Sequence, residues 1–333
     1  MLVKTAEPLP NVKGMPEVTY RMAAPTDLPA LTALINIANR VDDVPQVVEL
    51  DEVIEELSDG GDLTTDVRVA TLENELVGYV RTMYLPSDQL WERCYLIGTV
   101  HPDHRDRGIG RKLMTWAIDR GSAQLRSSTN TLPKYLRVDV DEAVVTAVRL
   151  FDRLGFRKVR QFEELLRPLT DLPVITEADG VRIEPWPAGR DDEILQVKNT
   201  AFADHWGSTP TAPHTWDSMV RGFGSYAERS FVAFDDSDCV VAYSLNHRTP
   251  ADDEVLGRRD GWIHSLGTLP EWRGRGLASA LIGHSLHAFV AADLTHASIS
   301  VDSESLTGAI RLYKALGFVT HRTGSTLEIE LEQ

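Results

Sequence analysis

Cysteine is scarce. The 333 residues hold two, Cys94 and Cys239, one in each half of the chain. Two are too few for a disulfide scaffold, and neither has neighbours at metal-ligand spacing, so no metal is expected and a reducing, cytoplasmic setting is. Basic residues are outnumbered: 34 Lys plus Arg stand against 50 Asp plus Glu, for a formal net charge of -16. A surface of that sign repels a long polyanion, which removes nucleic acid from the expected partners. A small anion escapes this argument, because a few backbone N–H groups and one or two arginines can hold a phosphate. Nowhere do about 18 apolar residues run together, and MLVKTAEPLPNVKGMPE at the start has no apolar core, so neither a membrane span nor a secretory leader is expected. Residues 1–16, with Pro8, Pro10, Gly14 and Pro16, read as a flexible tail.

What is present is an internal repeat. VHPDHRDRGIGRKLMTWAI at 100–118 returns as TLPEWRGRGLASALIGHSL at 268–286, an offset of 168. RLFDRLGF at 149–156 returns as RLYKALGF at 311–318, an offset of 162. Shared order at near-constant spacing is the signature of a duplicated unit. Both copies begin alike: VTYRM at 18–22, then Asp27 as a helix N-cap before LPALTALINIA, and VRIEP at 181–185 before EILQVKNTAFA. Each continues with a β-hairpin, turning at Glu73 to Glu75 or at Asp235 to Asp238. Then come a strand (YLIGTV; WIHSLGTL), a glycine-bearing turn, a helix, a strand (YLRVDV; ASISV), a helix ending at Gly155 or Gly317, and a last strand. The expected fold is α/β with a mixed sheet, used twice: a first domain over 17–168, a linker over 169–180 and a second domain over 181–333.

In both copies an apolar strand runs through R-x-x-G-x-[GA] straight into a helix: Arg105, Gly108, Gly110, and Arg273, Gly276, Ala278. Small residues let a ligand approach the backbone, and a helix starting there aims free N–H groups and its positive dipole end outward, which suits a pyrophosphate. The expected amide donors are Arg107, Gly108, Ile109 and Gly110 in the first copy and Arg275, Gly276, Leu277 and Ala278 in the second. The alternative is that the glycines only permit a tight strand-to-helix turn.

The doubled pattern resembles the acetyl-CoA signature of the GNAT superfamily of N-acetyltransferases, and the L-[FY]-x-x-L-G-F segments match that family's later helix. The resemblance covers about 17–168 and 181–331. It implies two tandem GNAT domains, each with a twisted sheet whose fourth and fifth strands splay apart around the pantetheine arm. It places Leu266, Gly267 and Thr268 along that arm, Arg273 and Gly274 in the turn, Val100 at the matching strand end of the first copy, and Ser305 beside the cofactor, where the family often has Asn. It also implies that the aromatic residue four places before the LGF glycine gives a proton to the departing thiolate, whose conjugate acid has a pKa near 8.5. That position is Tyr313 in the second copy and Phe151 in the first. Phenylalanine has no proton to give, so the second copy is the expected catalytic one; the other reading of Tyr313 is a core ring.

The base that relieves the amine of its proton is read as His264, on the strand before the second turn, on the face of Leu266 and Thr268 if the strand is regular. A β-bulge, common there in the family, would change that facing, and a structural histidine is the alternative. Glu304 is a further candidate. In AFADHWGSTPTAPHTWDSM, 201–219, His205, Trp206, His214 and Trp216 either shape an acceptor pocket or pack in the core.

The expected activity is transfer of an acetyl group from acetyl-CoA to a small amine by direct attack, in a monomer or homodimer. The tandem arrangement is similar to that of mycothiol synthases, which implies as one alternative acetylation of a cysteine-conjugate amine. Another is an acyl-CoA-binding sensor or scaffold without turnover.

Overall fold

Turn chemistry sets the strand boundaries. Glu73 and Asn74 both take left-handed backbone angles, φ +50° and +71°, the two-residue turn whose twist matches that of antiparallel strands. In the second repeat the Asp235 carboxylate accepts the N–H groups of Ser237 and Cys239 at 2.9 and 2.8 Å, so a side chain makes the corner instead. The computed structural model describes residues 17–332 apart from 45, 59–60, 88–89, 177 and 306–307, and the expected tail 1–16 lies outside the described residues.

The first repeat runs β1 (Thr19–Met22), α1 (Leu28–Val41), α2 (Leu50–Ser58), α3 (Leu63–Asp66), β2 (Val67–Leu72), β3 (Glu75–Leu85), β4 (Glu92–Val100), α4 (Ile109–Ser127), β5 (Lys134–Asp141), α5 (Val145–Arg153) and β6 (Arg157–Pro168). The second runs β7 (Val181–Pro185), α6 (Asp191–Ala201), α7 (Pro213–Arg221), β8 (Phe231–Asp235), β9 (Val240–His247), α8 (Asp253–Leu256), β10 (Asp260–Thr268), α9 (Leu277–Ala291), β11 (His296–Asp302), α10 (Ala309–Ala315) and β12 (Val319–Glu330). Asp27 does not cap α1 with its side chain. Its carboxylate instead accepts the Ala24 N–H at 2.8 Å and pairs with Arg21.

All twelve strands join one mixed sheet in the order β1-β2-β3-β4-β5-β12-β6-β11-β10-β9-β8-β7. The expected domains 17–168 and 181–333 are therefore not separate in space, because their last strands are exchanged. β12 lies antiparallel to β5, Gly324–Glu330 opposite Tyr135–Asp141. β6 lies antiparallel to β11, Phe162–Pro168 opposite His296–Asp302. β6 and β12 also pair with each other. The exchange leaves no unpaired strand edge where the repeats meet, and it mixes their cores. Leu165 of β6 is buried with Ile263, Ile282, Leu286 and Phe289 of the second repeat, while Leu327 of β12 joins Leu113, Leu136 and Val138 of the first. Each buried leucine contributes about 2 kcal/mol. The linker follows the same logic: Leu169 is buried in the second core, and Ile175 lies against Gly283 of α9.

Residues 17–168 or 169–333 produced alone should each lack cooperative thermal unfolding by circular dichroism, whereas the two halves co-expressed should associate and melt together. A sharp melt from either half alone would contradict the exchange.

Candidate active site

Backbone pairing opens the site. β10 and β11 are parallel and paired only over Asp260–Ile263 and His296–Ile299, although β10 continues to Thr268 and β11 to Asp302. β4 and β5 likewise pair only over Glu92–Tyr95 and Lys134–Arg137. Each repeat thus has a V-shaped gap between its fourth and fifth strands. β10 differs from β4 in one respect. Its register with β9 shifts between Ile263 and Ser265, leaving His264 as the extra residue of a bulge, whereas β3 and β4 pair in register from Gly78 to Leu85. Ile263 packs under α9, while the Ser265 hydroxyl meets the Tyr243 hydroxyl at 2.6 Å in a different cluster, so the strand changes face at the bulge. His264 is accordingly not one of a regular row with Leu266 and Thr268.

The turn after β10 has the predicted character. Gly274 and Gly276 take φ +78° and +84°, and a Cβ added at either would meet nothing within 4 Å, so the outer side of the turn is open. Gly276 caps α9, whose first helical bond runs from the Ala280 N–H to the Gly276 carbonyl at 3.0 Å. The N–H groups of Leu277, Ala278 and Ser279 precede that bond and face outward with the helix dipole behind them. These amides, an open cradle and a 15-residue helix fit a pyrophosphate.

A cavity of about 290 Å³ brings together Leu266, Gly267, Thr268, Arg273, Gly274, Gly276, Leu277, Ala278 and Tyr313, with Phe202 and His205 from the other wall. Arg275, Ser305 and His264 lie outside its lining. Arg275 stacks on Trp272, 4.6 Å from the ring centre, and the Ser305 N–H donates to Asp302 O at 3.0 Å. The arginine that opens each motif is committed internally. Arg273 grips the Asp204 carboxylate at 2.5 and 3.1 Å and the Ala201 carbonyl at 2.8 Å; Arg105 grips Asp42 at 2.5 and 2.7 Å and the Val100 carbonyl at 3.1 Å. Both strap the strand end to the first helix of their repeat, so they hold the turn in shape.

The first repeat has the larger cavity, about 590 Å³, lined by Val100, Arg105, Gly108, Gly110 and Phe151 among others; Arg107 lies outside the lining, as does Ile109, which is a core residue. Its turn carries Asp106, at φ +61°, where the second repeat has Gly274, placing a carboxylate and a strained backbone at the phosphate cradle. Arg111, Arg149 and Arg153 also line this cavity and supply the opposite charge.

Tyr313 borders the second cavity from α10, its ring edge-on to Phe318 at 6.2 Å. Burial pushes its hydroxyl up to about 12, so the proton stays in place across the physiological range. His264 stacks flat on His247, 3.9 Å between ring centres at 9°. The His247 Nε2 atom is 2.9 Å from the Met219 carbonyl, which can only accept, so Nε2 carries the proton. Crowding by neighbouring atoms, then His247, then Lys198 hold the His264 pKa below its ordinary value, and the residue's exposure to solvent moderates that shift. Lys198 is itself pushed down to about 8 by burial and donates to Thr211 Oγ1.

The other candidates divide. His205 lines the cavity; Trp216 is a core residue against Trp186 and Tyr243; His214 is exposed on α7. Glu304 pairs with Arg160 of β6 and lies outside the cavity lining. Among the described residues, no group of three or more His, Cys, Asp or Glu is placed to hold a metal, and no helix is long and apolar enough to cross a membrane.

The family model described as the acetyltransferase (GNAT) family matches residues 192–318, and the acetyltransferase (GNAT) domain model matches 64–158. A mycothiol acetyltransferase from Streptomyces griseus is 33% identical over 226 residues, 67% of each chain. The chain belongs to the GNAT acetyltransferase family. A second mycothiol acetyltransferase, from Mycolicibacterium smegmatis, is 29% identical over 293 residues, 86% of this chain and 90% of that one. Among solved structures, a GNAT protein from Sphaerobacter thermophilus superposes with a TM-score of 0.74 at 24% identity, covering 95% of this chain and 96% of that one. A tandem GNAT protein from the clavulanic acid biosynthesis pathway gives 0.66 at 16% identity, covering 95% and 99%. This GNAT chain is thus an acetyl-CoA-dependent N-acetyltransferase with two GNAT domains.

The histidine pair is not legible in the sequence, because His247 and His264 meet only through the pairing of β9 with β10, and the contrast between Asp106 and Gly274 takes its meaning from the cradle each turn forms. Replacing Gly276 with Ala forces a Cβ into left-handed backbone at a cost of about 1 kcal/mol. The expected result is a smaller rise in melting temperature on adding acetyl-CoA than in the unaltered protein, read by differential scanning fluorimetry; an equal rise would remove this turn from cofactor binding.

Proposed function

We propose that the second repeat carries the chemistry, acetylating the amine of a small-molecule acceptor by direct attack on the thioester of acetyl-CoA. The observation that carries this reading is that Tyr313 borders the same cavity as the open N-terminus of α9, while the first repeat has Phe151 and Asp106 at the matching places.

Acetyl-CoA supplies an activated acetyl group; the chain supplies placement and protons. The N–H groups of Leu277, Ala278 and Ser279 hold the pyrophosphate, and the edge of β10 over Leu266–Thr268, unpaired toward β11, offers peptide groups to the pantetheine arm and the thioester oxygen. The amine nitrogen bonds to the acetyl carbon as the carbon–sulfur bond breaks. His264 lies off the cavity lining and its lowered pKa makes it a weak base, so the amine gives up its proton to water, and the Tyr313 hydroxyl gives one to the thiolate.

As to the acceptor, the mycothiol acetyltransferases at 29% and 33% identity support the amine of a cysteine conjugate as the first class to test. The decisive assay measures CoA release with cysteine conjugates, amino acids, polyamines and aminoglycosides. Tyr313→Phe should lower kcat about 10²-fold while acetyl-CoA binding is unchanged within about twofold. Equal rates would take Tyr313 out of the mechanism, and acetyl-CoA binding without turnover of any amine would favour a sensor.

His247 and His264 both have pKa values below the ordinary imidazole value, led by burial. At these two positions the unfolded chain binds more protons than the folded one as pH falls below about 6.5, so they subtract stability toward acid, whereas Glu52, raised to about 7 chiefly by burial, adds stability over the same range. Between about pH 6.5 and 5 the melting temperature of His264→Gln should gain relative to that of the unaltered protein, because the variant lacks one of the two opposing imidazoles. An equal change in the two proteins would show that His264 is not shielded as described.

A further inference from the structure

The loop between α6 and α7, residues 202–212, forms one wall of the second cavity through Phe202 and His205, yet it is held from the first repeat. Arg93, on β4, donates from Nη1 to the Gly207 carbonyl and from Nη2 to Thr209 Oγ1 at 2.9 Å. One residue before Gly207, the Trp206 ring lies under two further guanidinium groups, Arg137 at 4.6 Å and Arg160 at 5.0 Å, and 6.1 Å from Trp91. Arg93 is 7% exposed, its Nε has no hydrogen-bond partner, and no carboxylate pairs with it among the described residues. A buried cation is costly unless its hydrogen bonds are well used, and Arg93, beside a contact with Tyr95 and the attraction of Glu328, commits both terminal nitrogens to this loop. Gly207 takes φ +74°, the backbone shape that presents its carbonyl to Arg93.

We propose that Arg93 is a positioning residue for the second active site: the first repeat fixes the α6–α7 loop, and with it His205 and Phe202, against the cofactor cavity. The inference rests on the reading that acetyl-CoA binds in the second cavity. It assigns the first repeat a task independent of any chemistry of its own. Arg137 extends the same contact, since it pairs with Glu328 of the exchanged strand β12 while covering Trp206, so the exchange and the loop are fastened at one place.

The test uses the full chain, with acetyl-CoA as the probe in calorimetry and amide hydrogen exchange followed over 203–211. Arg93→Ala should speed exchange in that segment about tenfold and weaken acetyl-CoA binding about five- to tenfold, with exchange in α9 unchanged. Arg93→Lys, which keeps the charge but loses the fork, should fall between the two. If Arg93→Ala fails to fold, Thr209→Val decides, because it removes one of the two bonds and leaves the buried cation bonded to Gly207; exchange should quicken in the same segment and acetyl-CoA affinity should fall. Unchanged exchange and affinity in the folded variants would overturn the clamp. Failure of the unaltered protein to bind acetyl-CoA would instead overturn the reading of the cavity on which the clamp rests.

Discussion

The architecture depends on backbone hydrogen bonds that β10 and β11 do not make. Past Ile263 and Ile299 the two strands part, and β10 presents an unpaired edge over Leu266–Thr268 in the interior of a continuous sheet. Such an edge is costly to leave unsatisfied, and a ligand with its own amides can complete it. The gap is tolerable because every other edge nearby is satisfied. β10 is paired with β9 on its far side, and β11 is paired with β6 along Phe162–Pro168. The strand that secures the fifth strand of one repeat is the last strand of the other.

Duplication has left two similar scaffolds with different chemistry. Both retain a strap arginine, a left-handed glycine cap and a cavity, and these are properties of the fold. They differ where a reacting group would be. The first repeat has a regular fourth strand, a carboxylate in its turn and Phe151 in its later helix; at the matching places the second has a bulge, Gly274 and Tyr313. The larger cavity belongs to the first repeat, so cavity volume and functional groups point to different copies. What separates the two is the functional group at each place, and fold alone does not supply that.

Much of this was legible in the sequence. Motif order and spacing gave the duplication, the strand-to-helix turn and the pair Tyr313 and Phe151, because those features are local and each is fixed by a few consecutive residues. Three features were not legible, for one shared reason. The strand exchange, the stacking of His247 on His264 and the grip of Arg93 on Gly207 all depend on which strands and loops meet in space, and no periodicity encodes such partners. Arg105 and Arg273 show the converse. Their place in the motif suggested phosphate contact, but Asp42 and Asp204, 63 and 69 residues upstream, claim both guanidinium groups.

The amides that acetyl-CoA covers decide which repeat holds it. Hydrogen exchange with and without saturating acetyl-CoA should show protection at Leu266–Thr268 and at Leu277–Ser279. Protection confined to Val100 and to Gly108–Gly110, with the second turn unmoved, would contradict binding in the second repeat.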